Sequence, residues 1–443
     1  MTQRTVLRVA ALLGALSVVM AGCGSGGGET AAPGTQEPAT STPAVKKCAK
    51  PALAKPSGQP STDPLKIGSL LPETGSLAFL GPPEFAGVDV AIKEINAAGG
   101  VLGNDVTHIR GDSGDDKTDT ANQTVDRELA AGAQVIVGAA ASGVTKLVIN
   151  KITGAGVVEI SAANTSDEFT CWDDKGLYFR TAPPDVLQAQ ALAGLIGADG
   201  AQRVTIMARN DPYGSGLANN TEQNLIEAGI PQDQIQKKIY DPNATSYNTE
   251  IDDIRQFNPD AIAVIGFDES KKILTRMSEV QIGPGEKLVY GTDGNMGNAL
   301  GDGLPPGLLD GMKGTTPLTK LSGDFQRRLK AQDPNLEDFN YAGEAYDAVM
   351  LVALAAEQAK STKGVDIASE INGITREGEK CSSFAQCQEI IASGGNVDYD
   401  GVTGTLDFTD AGEPGAGTYG ILHFNAQNKI DEARTEYRTV SGV

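Results

Sequence analysis

The 443-residue chain carries 57 acidic side chains against 36 Lys and Arg, a formal charge of −21. Nucleic acid is a poor partner for such a chain, because its binding rests on basic groups placed against phosphates. Two histidines in the whole sequence also leave little general-base chemistry near neutral pH.

Arg4 and Arg8 flank the start of an apolar run, residues 9–20, broken only by Gly14 and Ser17. The run is short for a membrane span and has the layout of a secretory signal. It ends in Met20-Ala21-Gly22-Cys23, small residues before a cysteine as in a bacterial lipobox, although Leu is commoner where Met20 stands. Residues 1–22 are therefore expected to be a signal peptide and Cys23 a lipidated N-terminus on the outer face of the membrane. An ordinary signal peptide beside a stray cysteine is the alternative. Residues 23–64 are rich in Gly, Pro, Ser, Thr and Ala and are expected to form a flexible tether. Outside the cytoplasm the other four cysteines, Cys48, Cys171, Cys381 and Cys387, favour disulfides, with three possible pairings. Closeness in sequence favours Cys381–Cys387, leaving Cys48–Cys171. Zinc is the alternative, but neither His108 nor His423 lies near a cysteine in sequence.

The fold is expected to start with a strand at 65–71, a Pro72–Ser76 turn and a helix over 83–98, stopped by Gly99 and Gly100. A strand at 106–111 contains His108, which fits a structural role. Asp112, Asp115, Asp116 and Asp119 cluster after it. A calcium loop starting at Asp112 would have Lys117 in place of its glycine and Gln123 in place of its distal glutamate, so a solvated, capping turn is favoured. A helix over 120–131 leads to Val135, Ile136 and Val137, a β-branched apolar run that reads as a buried parallel strand. Gly138 ends it, and a loop of small residues reaches Ser142, Gly143 and Thr145 before a helix carrying Leu147, Val148 and Ile152. Such a loop exposes N–H groups and hydroxyls suited to a carboxylate or phosphate. The alternative is that Ser142 only caps the helix.

A strand at 157–160 leads into a second hydroxyl-bearing loop, residues 161–166, and 178–181 is again strand-like. Pro183-Pro184 marks a boundary. A second series follows: helix 187–199, strand 204–208, helix 217–228, strand 261–267, helix 269–280 and strand 287–290, ending at Gly291-Thr292-Asp293-Gly294-Asn295. Past a Gly- and Pro-rich segment at 301–314, a strongly apolar helix spans 341–357, and 404–408 and 420–424 are strand-like. This α/β alternation predicts parallel sheets with helices on both faces, arranged as two lobes. Ligands of such sheets gather outside the carboxyl ends of the strands.

The order and spacing of several segments carry a resemblance: Leu-Pro-Glu-Thr-Gly-Ser (71–76), Ala-Gly-Val-Asp-Val-Ala-Ile-Lys-Glu-Ile-Asn-Ala-Ala-Gly-Gly-Val-Leu-Gly (86–103), Val-Gly-Ala-Ala-Ala-Ser (137–142), Ser-Ala-Ala-Asn-Thr (161–165), Phe-Arg-Thr (179–181) and Tyr-Gly-Ser-Gly-Leu-Ala (213–218). Over residues 65–430 the chain resembles the branched-chain amino-acid (Leu/Ile/Val) binding proteins of ABC importers, of the periplasmic-binding-protein type I fold. The resemblance implies two Rossmann-like lobes, 65–182 plus 315–416 and 183–314 plus 417–443, joined by three crossovers near 182–184, 315–317 and 416–418. It implies that Ser142, with N–H groups near Gly143 and Thr145, holds a ligand carboxylate. The Ala163 carbonyl, the Thr165 hydroxyl and Asp293 would meet the ammonium, and Tyr213, Phe267 and Tyr341 would form aromatic walls. Departures from the family pattern are Asp293 where Glu is common, Leu80 in place of an aromatic residue, and an aromatic hydroxyl lost at Phe267.

The implied protein is a lipid-anchored solute-binding component that delivers an amino acid, branched-chain or otherwise apolar, to an ABC permease, with no cofactor, no metal and no catalysis. A Gly-x-Ser-x-Gly elbow and a nucleotide phosphate loop are both lacking. The alternatives keep the fold but bind an amide, urea or a small aromatic or organic acid, or serve a sensory membrane partner.

Overall fold

Two stretches of alternating strand and helix wind into two parallel sheets with the same strand order. The computed structural model describes residues 48–54 and 61–442; the expected signal peptide, Cys23 and most of the tether lie outside these. The first sheet uses β1 (Lys66–Leu71), β2 (Thr107–Asp112), β3 (Val135–Gly138), β4 (Val158–Ser161) and β5 (Tyr178–Arg180), with α1 (Gly81–Ala97), α2 (Thr120–Ala130) and α3 (Ser142–Gly154) between them. Its order is β2-β1-β3-β4-β5, all parallel. Val135, Ile136 and Val137 are fully buried, as a strand covered by helices on both faces requires.

The second sheet takes in β6 (Val204–Arg209), β7 (Ile235–Tyr240), β8 (Ala261–Ile265), β9 (Leu288–Gly291) and β10 (Lys313–Pro317), connected by α5 (Pro212–Glu227), α6 (Asn248–Phe257) and α7 (Ser270–Glu279), with α4 (Asp185–Ala198) leading in. The order β7-β6-β8-β9-β10 repeats that of the first sheet. In each, neighbouring strands connect to opposite sides at the β1/β3 or β6/β8 junction, which leaves a crevice at their carboxyl ends.

The chain then returns to the first lobe through α8 (Gly323–Gln332), α9 (Ala342–Ala359), α10 (Gly364–Ile371), β11 (Glu379–Cys381), α11 (Phe384–Ala392), β12 (Val397–Gly401) and β13 (Gly404–Thr405). α9 is buried nearly all round and lies along α1 so closely that a Cβ on Gly87 would collide with the Ala342 carbonyl. Finally β14 (Ala416–His423) and β15 (Glu436–Ser441) extend the second sheet antiparallel beside β10.

Several expectations are corrected. Residues 315–317, assigned above to the first lobe, pair with 419–421 in the second sheet, and Ala416 already pairs with Ser441 there. All of Lys313–Pro317 pairs with β14 in the second sheet, so the second crossover follows Pro317. Residues 48–54 and 61–64, read as tether, pack on the first lobe. Cys48 is bonded to Cys171 with Cα atoms 5.5 Å apart, Lys50 pairs with buried Asp174, and Ser61 N donates to Lys360 O at 3.0 Å. The second disulfide joins Cys381 to Cys387. Only Gly404–Thr405 of the expected 404–408 strand is extended in a ladder.

The acidic cluster is structural. Asp112 accepts from the N–H groups of Glu73, Thr74 and Gly114, and Asp115 accepts from Ser76 N and Oγ, so the two carboxylates hold the loop after β1. His108 sits between Ser69 Oγ and Asp89. Among the described residues, no helix is long and apolar enough to cross a membrane.

Candidate functional site

The loop after β3 turns at Gly138, whose φ of +129° and close approach to Leu70 O exclude a side chain. It delivers Ser142 as the first residue of α3. The N-cap is Ala141, with no side-chain capping bond, so the reading of Ser142 as a helix cap is overturned. Its hydroxyl donates instead to Asn164 Oδ1 at 2.7 Å. Val144 N and Thr145 N both donate to Ala141 O at 3.0 Å. The Thr145 N–H, expected to meet a ligand, is therefore engaged, and the free N–H groups of the helix start are those of Ser142 and Gly143 among the described residues.

The loop after β4 is bound to the first one. Ser161 Oγ donates to Ala139 O at 2.6 Å and accepts from Asn164 N at 2.9 Å. Asn164 also accepts from Ser166 N and donates to Tyr178 OH. Beneath them the buried guanidinium of Arg180 donates to Ser166 O at 2.9 Å and to Glu413 Oε2 at 2.6 Å. Ala163 and Thr165 are both buried, and Thr165 O accepts from Asp185 N at 2.7 Å.

The acidic side of the cleft comes from the second lobe. Asp293, just past β9, accepts at Oδ1 from Tyr213 OH at 2.7 Å and Gln188 Nε2 at 2.8 Å. At Oδ2 it accepts from Tyr341 OH, 2.8 Å away on the first-lobe side. Burial pushes its carboxyl above the ordinary range, against the pull of these three donors. Asp185, the first residue of α4, is fully buried, and among the described residues the Thr165 hydroxyl is the one group near enough to bond its carboxyl. Burial first, then the nearby charges of Asp167 and Asp293, raise it strongly. Neither Asp185 nor Asp293 bonds to Lys or Arg among the described residues.

Leu80, Ala163, Tyr213, Phe267 and Tyr341 belong to one apolar cluster spanning both lobes. Tyr213 stacks on Phe267 with centroids 5.5 Å apart. The lobes also touch through Asp268 N donating to Ser76 O at 3.2 Å and Ser166 Oγ donating to Pro212 O at 3.1 Å. A cavity of about 250 Å³ beside them is lined by Phe79, Phe267, Asp268, Gly294 and Leu300.

Of the eight side chains singled out from sequence, Leu80, Ala163, Tyr213, Phe267 and Tyr341 share one cluster, Asp293 bonds Tyr213 and Tyr341, and Ser142 and Thr165 lie buried in the two first-lobe loops. Asp185, Gln188 and Asn164 were missed. The first two follow Pro183-Pro184, which reads only as a boundary, yet one Asp and two Gln in an otherwise apolar helix are a signal of buried polar function. Asn164 stood inside a loop valued for its hydroxyls. Chemically, the site offers N–H donors at a helix start and two buried carboxyls that bond no Lys or Arg among the described residues. No group of three or more His, Cys, Asp or Glu that could hold a metal occurs among the described residues.

A sequence profile of the periplasmic binding proteins matches residues 64–419. The chemotactic signal transduction system substrate-binding protein BasB of Halobacterium salinarum is 26% identical over 375 residues, covering 82% of this chain and 86% of that protein. A Leu/Ile/Val-binding protein homolog of Brucella abortus is 28% identical over 227 residues, 48% of this chain and about half (54%) of that protein. Among solved structures, the substrate-binding protein LivJ of Streptococcus pneumoniae in complex with isoleucine superposes with a TM-score of 0.68 at 22% identity, covering 85% of this chain and all (100%) of that one. A solute-binding protein from R. palustris in complex with benzoate gives 0.65 at 15% identity, covering 86% of this chain and 99% of that one. The chain belongs to the periplasmic binding protein family, extracytoplasmic solute binders rather than enzymes, and has its type I fold.

Proposed function

We propose that this protein is the lipid-anchored solute-binding component of an ABC importer, held to the membrane through Cys23, and that it captures an apolar α-amino acid between its lobes. The observation that carries the ligand class is the pair Asp293 and Asp185, buried together with no bonded cation. Uncompensated buried carboxyls call for a positive group from the ligand. The ligand's carboxylate is met across the crevice by the Ser142 and Gly143 N–H groups at the start of α3, where the helix field favours an anion. Ala163 O and Thr165 Oγ complete the ammonium's acceptors, and Tyr213, Phe267, Tyr341 and Leu80 enclose the side chain. Charge-assisted bonds worth ~1.5–3 kcal/mol each, with apolar burial at ~25 cal/mol per Å², reach the ~8 kcal/mol of micromolar affinity.

An aromatic acid, amide or urea lacks the ammonium and leaves both carboxyls uncompensated, so these ligands rank below an amino acid. Thermal-shift screening of the protein against amino acids, amides and small organic acids tests this, since a ligand of the folded state raises the melting temperature. A shift with urea or benzoate and none with any amino acid would overturn it. A second reading of the partner has its own support: the relative BasB is named for chemotactic signalling. Deleting the gene separates the two, since loss of ligand uptake supports a permease and loss of a motility response with uptake intact supports a sensory membrane partner.

A further inference from the structure

The segments that pass between the lobes converge on one side of the molecule and enclose a second cavity of about 240 Å³. Thr181 and Pro183 of the first crossover, Thr319 of the second and Ala416 of the third line it, and Glu344 from the first turn of α9 closes its floor. Glu344 is only 5% exposed. Among the described residues its carboxyl has no hydrogen-bond partner beyond its own backbone N–H. Thr319 Oγ1 is likewise buried without a partner. No Lys or Arg lines the cavity, and the neighbouring charge is of the same sign: Glu84, fully buried with both oxygens unpartnered, lies close enough to interact with Glu344.

A buried carboxyl that faces a cavity with no partner but its own N–H is costly unless something completes it. We propose that this hinge cavity is a binding site for a small organic cation, an alkylammonium whose N–H groups bond Glu344. The rest of the lining mixes Pro183, Leu406, Pro414 and Ala416 with six threonines, and its apolar members accommodate a short carbon chain. A bare metal ion fits poorly, because such ions require several oxygen ligands and no group of three or more acidic, His or Cys residues is present among the described residues. Burial keeps the Glu344 carboxyl protonated up to about 8, so an arriving ammonium displaces that proton. The walls come from all three crossovers, the segments that absorb the dihedral changes of a hinge motion, so the occupant biases lobe closure. This site is independent of the amino acid proposed for the main crevice.

The probe is n-propylammonium chloride, titrated into the protein by calorimetry, with n-propanol as the uncharged control. Saturable binding of the ammonium but not of the alcohol is expected, retained in Asp293→Asn and weakened roughly tenfold or more in Glu344→Gln through loss of a charge-assisted bond. Thr439→Trp, on the exposed edge strand at the cavity mouth, is expected to weaken it likewise without disturbing the buried carboxyl, and decides the matter if Glu344→Gln does not fold. Absence of saturable binding to the unaltered protein overturns the proposal. So does binding that survives Glu344→Gln and Thr439→Trp, or binding abolished by Asp293→Asn, which would place the amine in the main crevice.

Discussion

Asp347, on α9 inside the first lobe, accepts from Val402 N and Thr403 N at 3.0 Å each, from Thr403 Oγ1 at 2.6 Å and from Tyr399 OH at 2.9 Å. Asp293, in the crevice, also has a full set of donors, but all three are side chains, and Tyr341 reaches it from the other lobe. The first arrangement closes the β12–β13 turn onto the helix within one lobe, so its hydrogen bonds persist as long as the lobe is folded. The second is shared between the two lobes, and its donors are neutral groups, which on the proposed reading realign when an ammonium takes up the charge. Beside it, among the described residues, Asp185 has only the Thr165 hydroxyl within reach. Backbone donors from one lobe suit a carboxyl that builds the fold, and side-chain donors from both lobes suit the ligand contact proposed for Asp293.

The contrast is broken most severely by Asp347→Ala. Two backbone N–H groups and two hydroxyls lose their acceptor inside the lobe, and unfolding in urea should show a loss of about 3–5 kcal/mol, with ligand affinity unchanged in the folded fraction. Asp293→Asn should do the reverse: a loss of about 2–4 kcal/mol in amino-acid affinity by titration calorimetry, with stability held or improved because a buried charge is gone. Unchanged affinity would remove Asp293 from the binding site and with it the main support for an amino-acid ligand.

Varying pH should drive the two carboxyls in opposite directions. Burial pushes Asp347 up to about 6 from an ordinary 3.8, so the folded protein holds that proton more tightly than the unfolded chain. The stabilisation is complete below the ordinary value and is lost as pH rises through about 6, at up to roughly 1.4 kcal/mol per pH unit between them. That component of the slope should vanish in Asp347→Asn. Asp293 and Asp185 are also raised by burial, yet an ammonium needs them ionised. Affinity should therefore tighten as pH rises above the ordinary carboxylate range, by no more than about tenfold per unit for each proton released. Affinity that is flat or falls over that rise would mean the carboxyls are not the ammonium's partners.

Much of the framework was legible because apolar patterning and parallel-strand burial coincide. The run at 135–137 and the helix after Ser142 could be read from three or four residues each. The edge strands of the second sheet were not legible: β7 carries Lys237 and Lys238 and is half exposed, and β15, Glu-Tyr-Arg-Thr-Val-Ser, is largely polar at the rim. Neither shows the continuous apolar run of a covered strand. The strap formed by 48–54 was hidden for a different reason, because its order comes from Cys171 and Asp174, more than a hundred residues away, and its composition is that of a linker. At the proposed site, Ser142 was readable from a loop that follows a strand, and Asp293 came from the family resemblance. Asp185 was passed over because Pro183-Pro184 reads as a boundary, and its burial beside Asp293 is a property of the packed structure.

Ser142 supplies the smallest and sharpest test, because it resembles a ligand contact in sequence and a fold-building contact in structure. Its hydroxyl donates to Asn164 Oδ1, and Asn164 in turn accepts from Ser166 N and donates to Tyr178 OH, so the hydroxyl aligns the two first-lobe loops of the proposed site. Ser142→Ala should cost about 1–2 kcal/mol in stability and less in ligand affinity than Asp293→Asn, since the backbone N–H groups of residues 142 and 143 remain. If alignment through Asn164 is the cause, Ser142→Ala and Asn164→Ala remove one interaction between them, and the double variant should be less impaired than the two single losses combined, by about 0.5–3 kcal/mol. Additive losses would instead show the hydroxyl acting on the ligand by itself, the role the family resemblance implies.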